Sequence, residues 1–369
     1  MNNTREKKEI IFIQGNLYPN DIGGHEIFNY YLHQELKNNF DVKILSHYKR
    51  PTEISENNYF QVTSFKPLAL FFPLLIFFKL IKERKSKTTL VLTYSRSHWL
   101  NWWPYPILNK LFNLKYIIII HGGGLTKWKW KLPLLKLFKR ATLVIGISKR
   151  ICLEYNKRTG VYIKQILPLI PFEKSSFKRG FIREKWGIKN DENVFLIVGS
   201  IKPLKNPQTV VSAAEILGLE FLKKNKIKFV FAGDGILLTQ LKSKVVNYKL
   251  ENHFNFLGNV PREIIPEIYA LSDVYIISSD FEGTPLSLLE AMHNKLSIIA
   301  ANSPGINDVI THDFNGLLFK TKDSKELANS IIKSLNRNEL LIDNASKTTK
   351  KFFNHQEMIE EYKLIFNKI

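Results

Sequence analysis

The stretch FEGTPLSLLEAM (281–292) sets two carboxylates, Glu282 and Glu290, around a Gly-Thr-Pro turn. It lies between two strand-like runs, DVYIISS (273–279) and LSIIA (296–300). Were all eight steps from Glu282 to Glu290 helical, a rise of ~1.5 Å per residue would put the backbones ~12 Å apart. That does not obviously provide the ~5 to 9.5 Å carboxyl separation of a hydrolytic acid/base pair. The two glutamates suit different ends of one extended ligand instead. Backbone N–H groups of Gly283, Thr284, Leu286 and Ser287 at a helix start could hold a phosphate or a sugar hydroxyl, whereas Pro285 has no N–H to offer. Glu290, within the helix, could accept two hydroxyl hydrogen bonds from a ribose. The plainer alternative, a capping Glu282 and a surface Glu290, is disfavoured by the apolar residues around Glu290.

Other strand ends carry further candidates. Gly23-Gly24 lies in the loop after the first strand and before a helix, where a phosphate could approach the backbone closely; a simple turn fits as well. The loop from Gly199 and Ser200 brings Lys202 and Lys205 to a helix start at Asn206-Pro207. Cations are disfavoured at a helix N-terminus, so either an anion relieves them or they are solvated lysines. Gly233-Asp234-Gly235 closes another strand as a tight turn. His121 ends the strand YIIII before Gly122-Gly123-Gly124, either as a polar cap or as a side chain reaching a hydroxyl.

Positioning these groups requires strands. Short apolar runs at 9–15, 41–47, 88–95, 115–122 and 142–148 alternate with helix-length stretches. The pattern restarts at 193–200, 226–235, 255–258, 273–279, 296–300 and 316–319. Near-continuous Ile, Val and Leu suits strands covered on both faces, hence two parallel, doubly wound sheets. Ligands bind such sheets at the strand C-terminal ends. The intervening LPLIPFEKSSFKRGFIREKWGIKNDEN (167–193) reads as a linker and a short lead-in helix, which puts a boundary near Pro171.

The chain has 369 residues, enough for two domains, and 44% hydrophobic against 24% charged residues is globular composition. An excess of 54 Lys and Arg over 33 Asp and Glu, +21 in net charge, favours anionic partners: nucleic acid, a membrane face or phosphorylated metabolites. Cys152 is the single cysteine, and the N-terminus runs from charges directly into a strand-like segment, so the expected compartment is the cytoplasm. The apolar run at 68–81 is interrupted by Lys79 and too short to span a bilayer.

SSDFEGTPLSLLEAMHNKLSIIAANSPGINDVITHDFNGLLF (278–319) resembles the signature region of the retaining, group 1 (family 4) glycosyltransferases. Gly23-Gly24, HGGG, VIGISK, the Gly199 to Asn206 loop, AGDG, FLGNV and the C-terminal FFNHQEMIEEYKLIF extend the resemblance over most of the chain. It implies an α/β chain of two Rossmann-like domains facing each other across a cleft (GT-B). Residues 1–171 would bind the acceptor, 172–350 the nucleotide-sugar, and 351–369 would cross back as a helix. Glu290 would bind the ribose, and Lys205 and Gly24 the diphosphate, with Gly23, Gly199, Ser200 and Gly233 also at the nucleotide-sugar site. Glu282, followed by Gly283, Thr284, Pro285 and Leu286, would engage the donor sugar beside His121. Leu257 to Val260 would lie near the base.

Under the same resemblance the reaction transfers a sugar from a UDP- or GDP-sugar to a glycan or lipid-linked acceptor, with retention and without a required metal or cofactor. Fixed N–H dipoles and Lys205 would stabilise the departing diphosphate, and front-side displacement is the expected course. The chain departs from the family's pattern at Ser200, where many members have Arg, which leaves Lys202 as a possible substitute. It departs again at LPLIPFE (167–173), where many have an Asn-Gly pair. Asp280-Phe281-Glu282 is not a D-x-D metal motif.

Three segments rich in aromatic and basic residues, at 71–85, 98–112 and 127–140, mark the first half. The first reads as a buried crossover helix. Trp128, Lys129, Trp130, Lys131 and Lys136 have the mixture that settles at an anionic lipid headgroup boundary, which predicts peripheral contact with the inner face of the cytoplasmic membrane. A nucleic-acid-binding protein is the competing class, but no RRM, KH or zinc pattern supports it, and nucleic acid is not the expected partner. A UDP-sugar epimerase of the same fold is the second alternative. A phosphorylase would want a pyridoxal-bearing lysine context that is not seen.

Overall fold

A computed structural model describes residues 7–14, 24–46, 50, 54–55, 58–61, 72–83, 88–94, 104–121, 131–168, 177–283, 285–352 and 355–369. The chain divides into two units, Met1–Pro171 with Asn354–Ile369, and Phe172–Phe353. In unit 1 the elements run β1 (Glu9–Ile13), α1 (Gly24–Leu36), β2 (Asp41–Ser46), β3 (Tyr59–Gln61), α2 (Phe72–Glu83), β4 (Thr88–Tyr94) and α3 (Pro104–Phe112). They continue with β5 (Lys115–Ile120), α4 (Lys131–Arg140), β6 (Leu143–Gly146), α5 (Lys149–Thr159) and β7 (Lys164–Gln165). The described strands form one parallel sheet in the order β3-β2-β1-β4-β5-β6-β7. The isoleucine run of β5 is completely buried, as both-face coverage requires.

Unit 2 opens with α6 (Arg179–Lys185) and proceeds through β8 (Asn193–Val198), α7 (Gln208–Leu217), α8 (Leu219–Lys224), β9 (Ile227–Ala232), α9 (Leu238–Asn247) and β10 (Phe254–Gly258). Next come α10 (Ile265–Leu271), β11 (Val274–Ile277), α11 (Leu286–His293), β12 (Ser297–Asn302), β13 (Leu317–Lys320), α12 (Ser324–Ser334) and α13 (Glu339–Thr349). Its described strands are also parallel, in the order β10-β9-β8-β11-β12-β13. Two doubly wound α/β sheets are therefore present, as the alternating runs imply. The lead-in helix α6 is fixed by the buried Arg183, which donates to the carbonyls of Leu271 at 2.9 Å and Glu192 at 3.0 Å and pairs with Asp273 at 2.6 Å.

The last helix, α14 (His355–Lys368), belongs to unit 1. Its Met358, Ile359, Tyr362, Ile365 and Phe366 join the core of the first sheet, with Tyr362 edge-on to Phe28 and Phe366 to Phe40. The Nζ of Lys115 in β5 donates to the Ile369 carbonyl at 2.6 Å just past its end.

Within that core His33 of α1 lies edge-on to Phe12 of β1, and neither ring nitrogen has a hydrogen-bond partner. Burial, with a smaller effect from the Lys37 charge, pushes its pKa down to about 4. The folded chain thus excludes a proton that the unfolded chain takes up below about pH 6.5. The stability at this site is complete above pH 6.5, falls as pH is lowered towards 4, and levels off below that. From pH 7 to 5 the expected loss is about 2 kcal/mol. Urea unfolding at both pH values should show a steeper decline in the wild type than in His33→Leu; parallel declines would refute the assignment.

Candidate functional site

Strand order in unit 2 reverses between β8 and β11, since the chain winds outward from β8 to β10 and then restarts at β11. Such a switch point splays the two following loops apart and leaves a crevice at the strand C-terminal ends. A pocket lies there, lined among others by Gly199, Ser200, Lys205, Tyr275, Ser279 and Glu282.

The loop after β8 is shaped by its neighbour. The Gly199 N–H donates to the Ala232 carbonyl at 3.0 Å, and that of Ile201 to the Asp234 carbonyl at 2.8 Å. A Cβ on Gly233, whose φ is +154°, would stand 1.9 Å from the Gly199 carbonyl oxygen, so only glycine allows this approach. A single 3-10 turn, Pro203–Lys205, then delivers Lys205 to the crevice. Asn206 follows in the left-handed region and Pro207 precedes α7. The two loops are tied together: Asp280 N–H to the Leu204 carbonyl at 2.9 Å, and the Ser278 hydroxyl to the Lys205 carbonyl at 2.8 Å.

The Lys205 ammonium and the Ser279 hydroxyl both donate to Oε1 of Glu282, each at 2.6 Å. Lys202, by contrast, is exposed. The Glu282 backbone is clamped from behind, its N–H donating to the Pro304 carbonyl at 3.0 Å. Gly305 there has φ +88°, and a Cβ on it would lie 2.0 Å from the Glu282 carbonyl oxygen. Gly305→Ala is accordingly expected to destabilise unit 2 by roughly 1–3 kcal/mol and to displace Glu282. Unchanged thermal unfolding in that variant would count against the clamp.

Glu290, on α11, is 5% exposed, so it is no surface glutamate. Arg262 pairs with its Oε1, and the Tyr269 hydroxyl donates to Oε2 at 2.8 Å. The same hydroxyl lies 3.1 Å from the Ser287 carbonyl, while Tyr275 donates to the Ser287 hydroxyl at 2.7 Å. Burial, reinforced by the Glu290 carboxylate, holds the Tyr269 hydroxyl well above the ordinary phenol range; burial does the same for Tyr275. Both stay protonated as donors. Tyr275 thereby links the pocket around Lys205 and Glu282 to the Glu290 cluster. A carboxylate has about four acceptor directions, so Glu290 keeps capacity for a hydroxyl-bearing ligand beside its two protein partners.

Pro285 is buried immediately before α11, Leu286 begins that helix, and Gly283 follows Glu282. Leu257 and Val260 are half-buried at the end of β10, four residues or fewer from the turn that carries Arg262. In unit 1, Gly24 starts α1, and His121 follows β5 with its ring 4.7 Å from that of Phe28. The roles of Gly24 and His121 rest on the resemblance alone. Gly23, Thr284, Gly122 to Gly124, Leu169 to Glu173 of the interlobe stretch, and Trp128, Lys129 and Trp130 lie outside the described residues.

Residues 178–352, nearly all of unit 2, match the family described as Glycosyl transferases group 1. Over this segment, just under half of its length, the chain is similar to the group 1 glycosyl transferases. The chain is similar to a UDP-Gal:alpha-D-GlcNAc-diphosphoundecaprenol alpha-1,3-galactosyltransferase of Escherichia coli, 32% identical over 47% of this chain and 43% of that protein. A GalNAc-alpha-(1->4)-GalNAc-alpha-(1->3)-diNAcBac-PP-undecaprenol alpha-1,4-N-acetyl-D-galactosaminyltransferase of Campylobacter jejuni is 29% identical over 58% of this chain and 56% of its own length. The chain spans about half the length of these relatives. Among solved structures, Anabaena HepE in complex with UDP and glucose superposes with a TM-score of 0.80 over 98% of this chain and 100% of that one, at 16% identity. That likeness shows the fold, two Rossmann-like sheets of the GT-B class. The crevice, its supporting turn and the Glu290 cluster include several residues that motif spacing does not single out: Arg262, Tyr269, Tyr275, Ser279 and Gly305.

Proposed function

We propose that the chain is a retaining glycosyltransferase that moves a sugar from a nucleoside-diphosphate sugar, UDP-linked in the first instance, to a glycan or lipid-linked acceptor. The observation that carries this reading is the pairing of Lys205 with Glu282 in the crevice at the β8/β11 switch point, with the buried Glu290 on the helix that follows β11, all within the segment that matches the group 1 family. The relatives' names support the rest. One uses UDP-Gal and two act on undecaprenol-linked saccharides, which favours cell-surface polysaccharide or glycolipid assembly at the cytoplasmic face of the membrane.

In this reaction Glu290 accepts hydrogen bonds from the ribose hydroxyls, and Lys205 with the loop N–H groups faces the diphosphate. Glu282 holds donor-sugar hydroxyls after exchanging part of its bond to Lys205. The acceptor hydroxyl attacks the anomeric carbon from the face the diphosphate leaves, and a diphosphate oxygen takes the proton. Charge develops on the leaving oxygen where the lysine and fixed dipoles already point.

Incubation with candidate UDP- and GDP-sugars, with and without polyprenyl-linked saccharide, tests the proposal. Acceptor-dependent release of nucleoside diphosphate, with the product anomer matching the donor by NMR, is expected. Interconversion of the donor sugar without acceptor would instead establish the epimerase, and no turnover of any nucleotide-sugar would refute the reading.

A further inference from the structure

We propose that the outer face of α2 and α3 is a docking surface for an anionic lipid bilayer. It deepens the reading of a lipid-linked acceptor by naming the surface that meets the membrane, but neither its grounds nor its test depends on sugar transfer.

The two helices are successive crossovers into β4 and β5 and pack side by side. The inner face of each is core: Ile76 and Leu80 on α2, Tyr105 and Leu108 on α3, all at 1% exposure or less. Their outer faces are apolar too. Leu74 and Phe78 are 42% and 61% exposed, and Ile107 and Leu111 are 39% and 61% exposed. Each pair is spaced i, i+4, so each forms a stripe on one side of its helix. Segment 71–85 is thus not the fully buried crossover that its composition suggests. Single exposed apolar residues need no explanation, but two such stripes on adjacent helices do.

Charge identifies what covers them. Over α2, α3 and α4 there are seven Lys and Arg, namely Lys79, Lys82, Lys110, Lys131, Lys136, Lys139 and Arg140, against one acid, Glu83. Lys82 and Lys110 are exposed beside the stripes, and Lys136, Lys139 and Arg140 are exposed on α4, which packs against α3. The occupant must be apolar and anionic at once. A second copy of the chain would set cations against cations, and nucleic acid stacks on aromatic rings, whereas three of these four side chains are aliphatic. A bilayer with anionic headgroups offers both properties, receiving the apolar side chains below a negatively charged plane. At 12 residues α2 would lie in that plane, and no described helix is long and apolar enough to cross.

Flotation of the full chain with phosphatidylglycerol vesicles and with phosphatidylcholine vesicles, at low and high salt and without nucleotide-sugar, tests the surface. Salt-sensitive flotation with phosphatidylglycerol only is expected. The double variant Phe78→Ser/Leu111→Ser should lower the partition coefficient about tenfold or more, because two exposed side chains no longer enter the interface. Lys136→Glu/Lys139→Glu should remove most of the salt-sensitive part. All four positions are exposed, so thermal unfolding of both variants should match the wild type. No flotation with phosphatidylglycerol, equal flotation of wild type and variants, or salt-sensitive retention of single-stranded RNA in place of vesicles would overturn the proposal. A chain that floats as expected yet turns over no nucleotide-sugar would refute the transfer reading and uphold this one.

Discussion

Glu290→Ala should weaken binding of the nucleotide-sugar on the order of a hundredfold, with the loss in KM and in nucleoside-diphosphate affinity. In the proposed reading two hydroxyl bonds to a buried carboxylate are removed, each worth roughly 1.5 kcal/mol, the lower end for a charged acceptor because water replaces part of each bond. The substitution also strands Arg262 and Tyr269, which both donate to Glu290. Part of the effect is therefore structural, and thermal unfolding must be measured beside binding. Arg262→Ala separates the two contributions, since it keeps the carboxylate and removes one group that aims it. About tenfold weaker donor binding, at little change in kcat, is expected of that variant. Wild-type affinity in Glu290→Ala would remove this residue from the site.

The second large effect is expected at Lys205. Lys205→Ala should reduce kcat by roughly 10²- to 10³-fold, the range seen when one fixed group facing a developing negative charge is deleted. Its ammonium is already held in the crevice by Glu282 at 2.6 Å, so the cation is positioned before any ligand arrives. Binding should distinguish the diphosphate from the nucleoside: the variant loses affinity for UDP while uridine binding stays constant. Lys205→Arg retains the charge but not the point geometry, and should recover part of the rate. Equal losses for UDP and uridine would show that Lys205 only maintains the loop.

The long strands were legible because their chemistry is monotonous. Runs such as YIIII and VFLIV suit nothing but a position covered on both faces, and they form β5 and β8. By contrast β3 (YFQ) and β7 (KQ) were not legible. They are sheet edges of three and two residues, held by pairing to a neighbour rather than by an apolar pattern of their own. The glutamates and Lys205 stood out through turn chemistry and through charge misplaced at a helix start. Arg262, Tyr269 and Tyr275 did not, because an arginine in a strongly basic chain and tyrosines in apolar runs carry no local signal. Their importance arises only when β10, α10 and β11 bring them to α11. Gly305 is legible as a turn residue, but its close approach to Glu282 is a fact of tertiary packing.

The return of α14 to the first sheet bears on biosynthesis. Unit 2 is a continuous stretch of chain, whereas the core of unit 1 draws Tyr362 and Phe366 from sequence translated after unit 2 is complete. As the polypeptide emerges from the ribosome, the later-encoded lobe can close before the earlier one. Until α14 arrives, the nascent first lobe leaves Phe28 without Tyr362 and Phe40 without Phe366, which makes that interval its time of greatest exposure to chaperones and proteases.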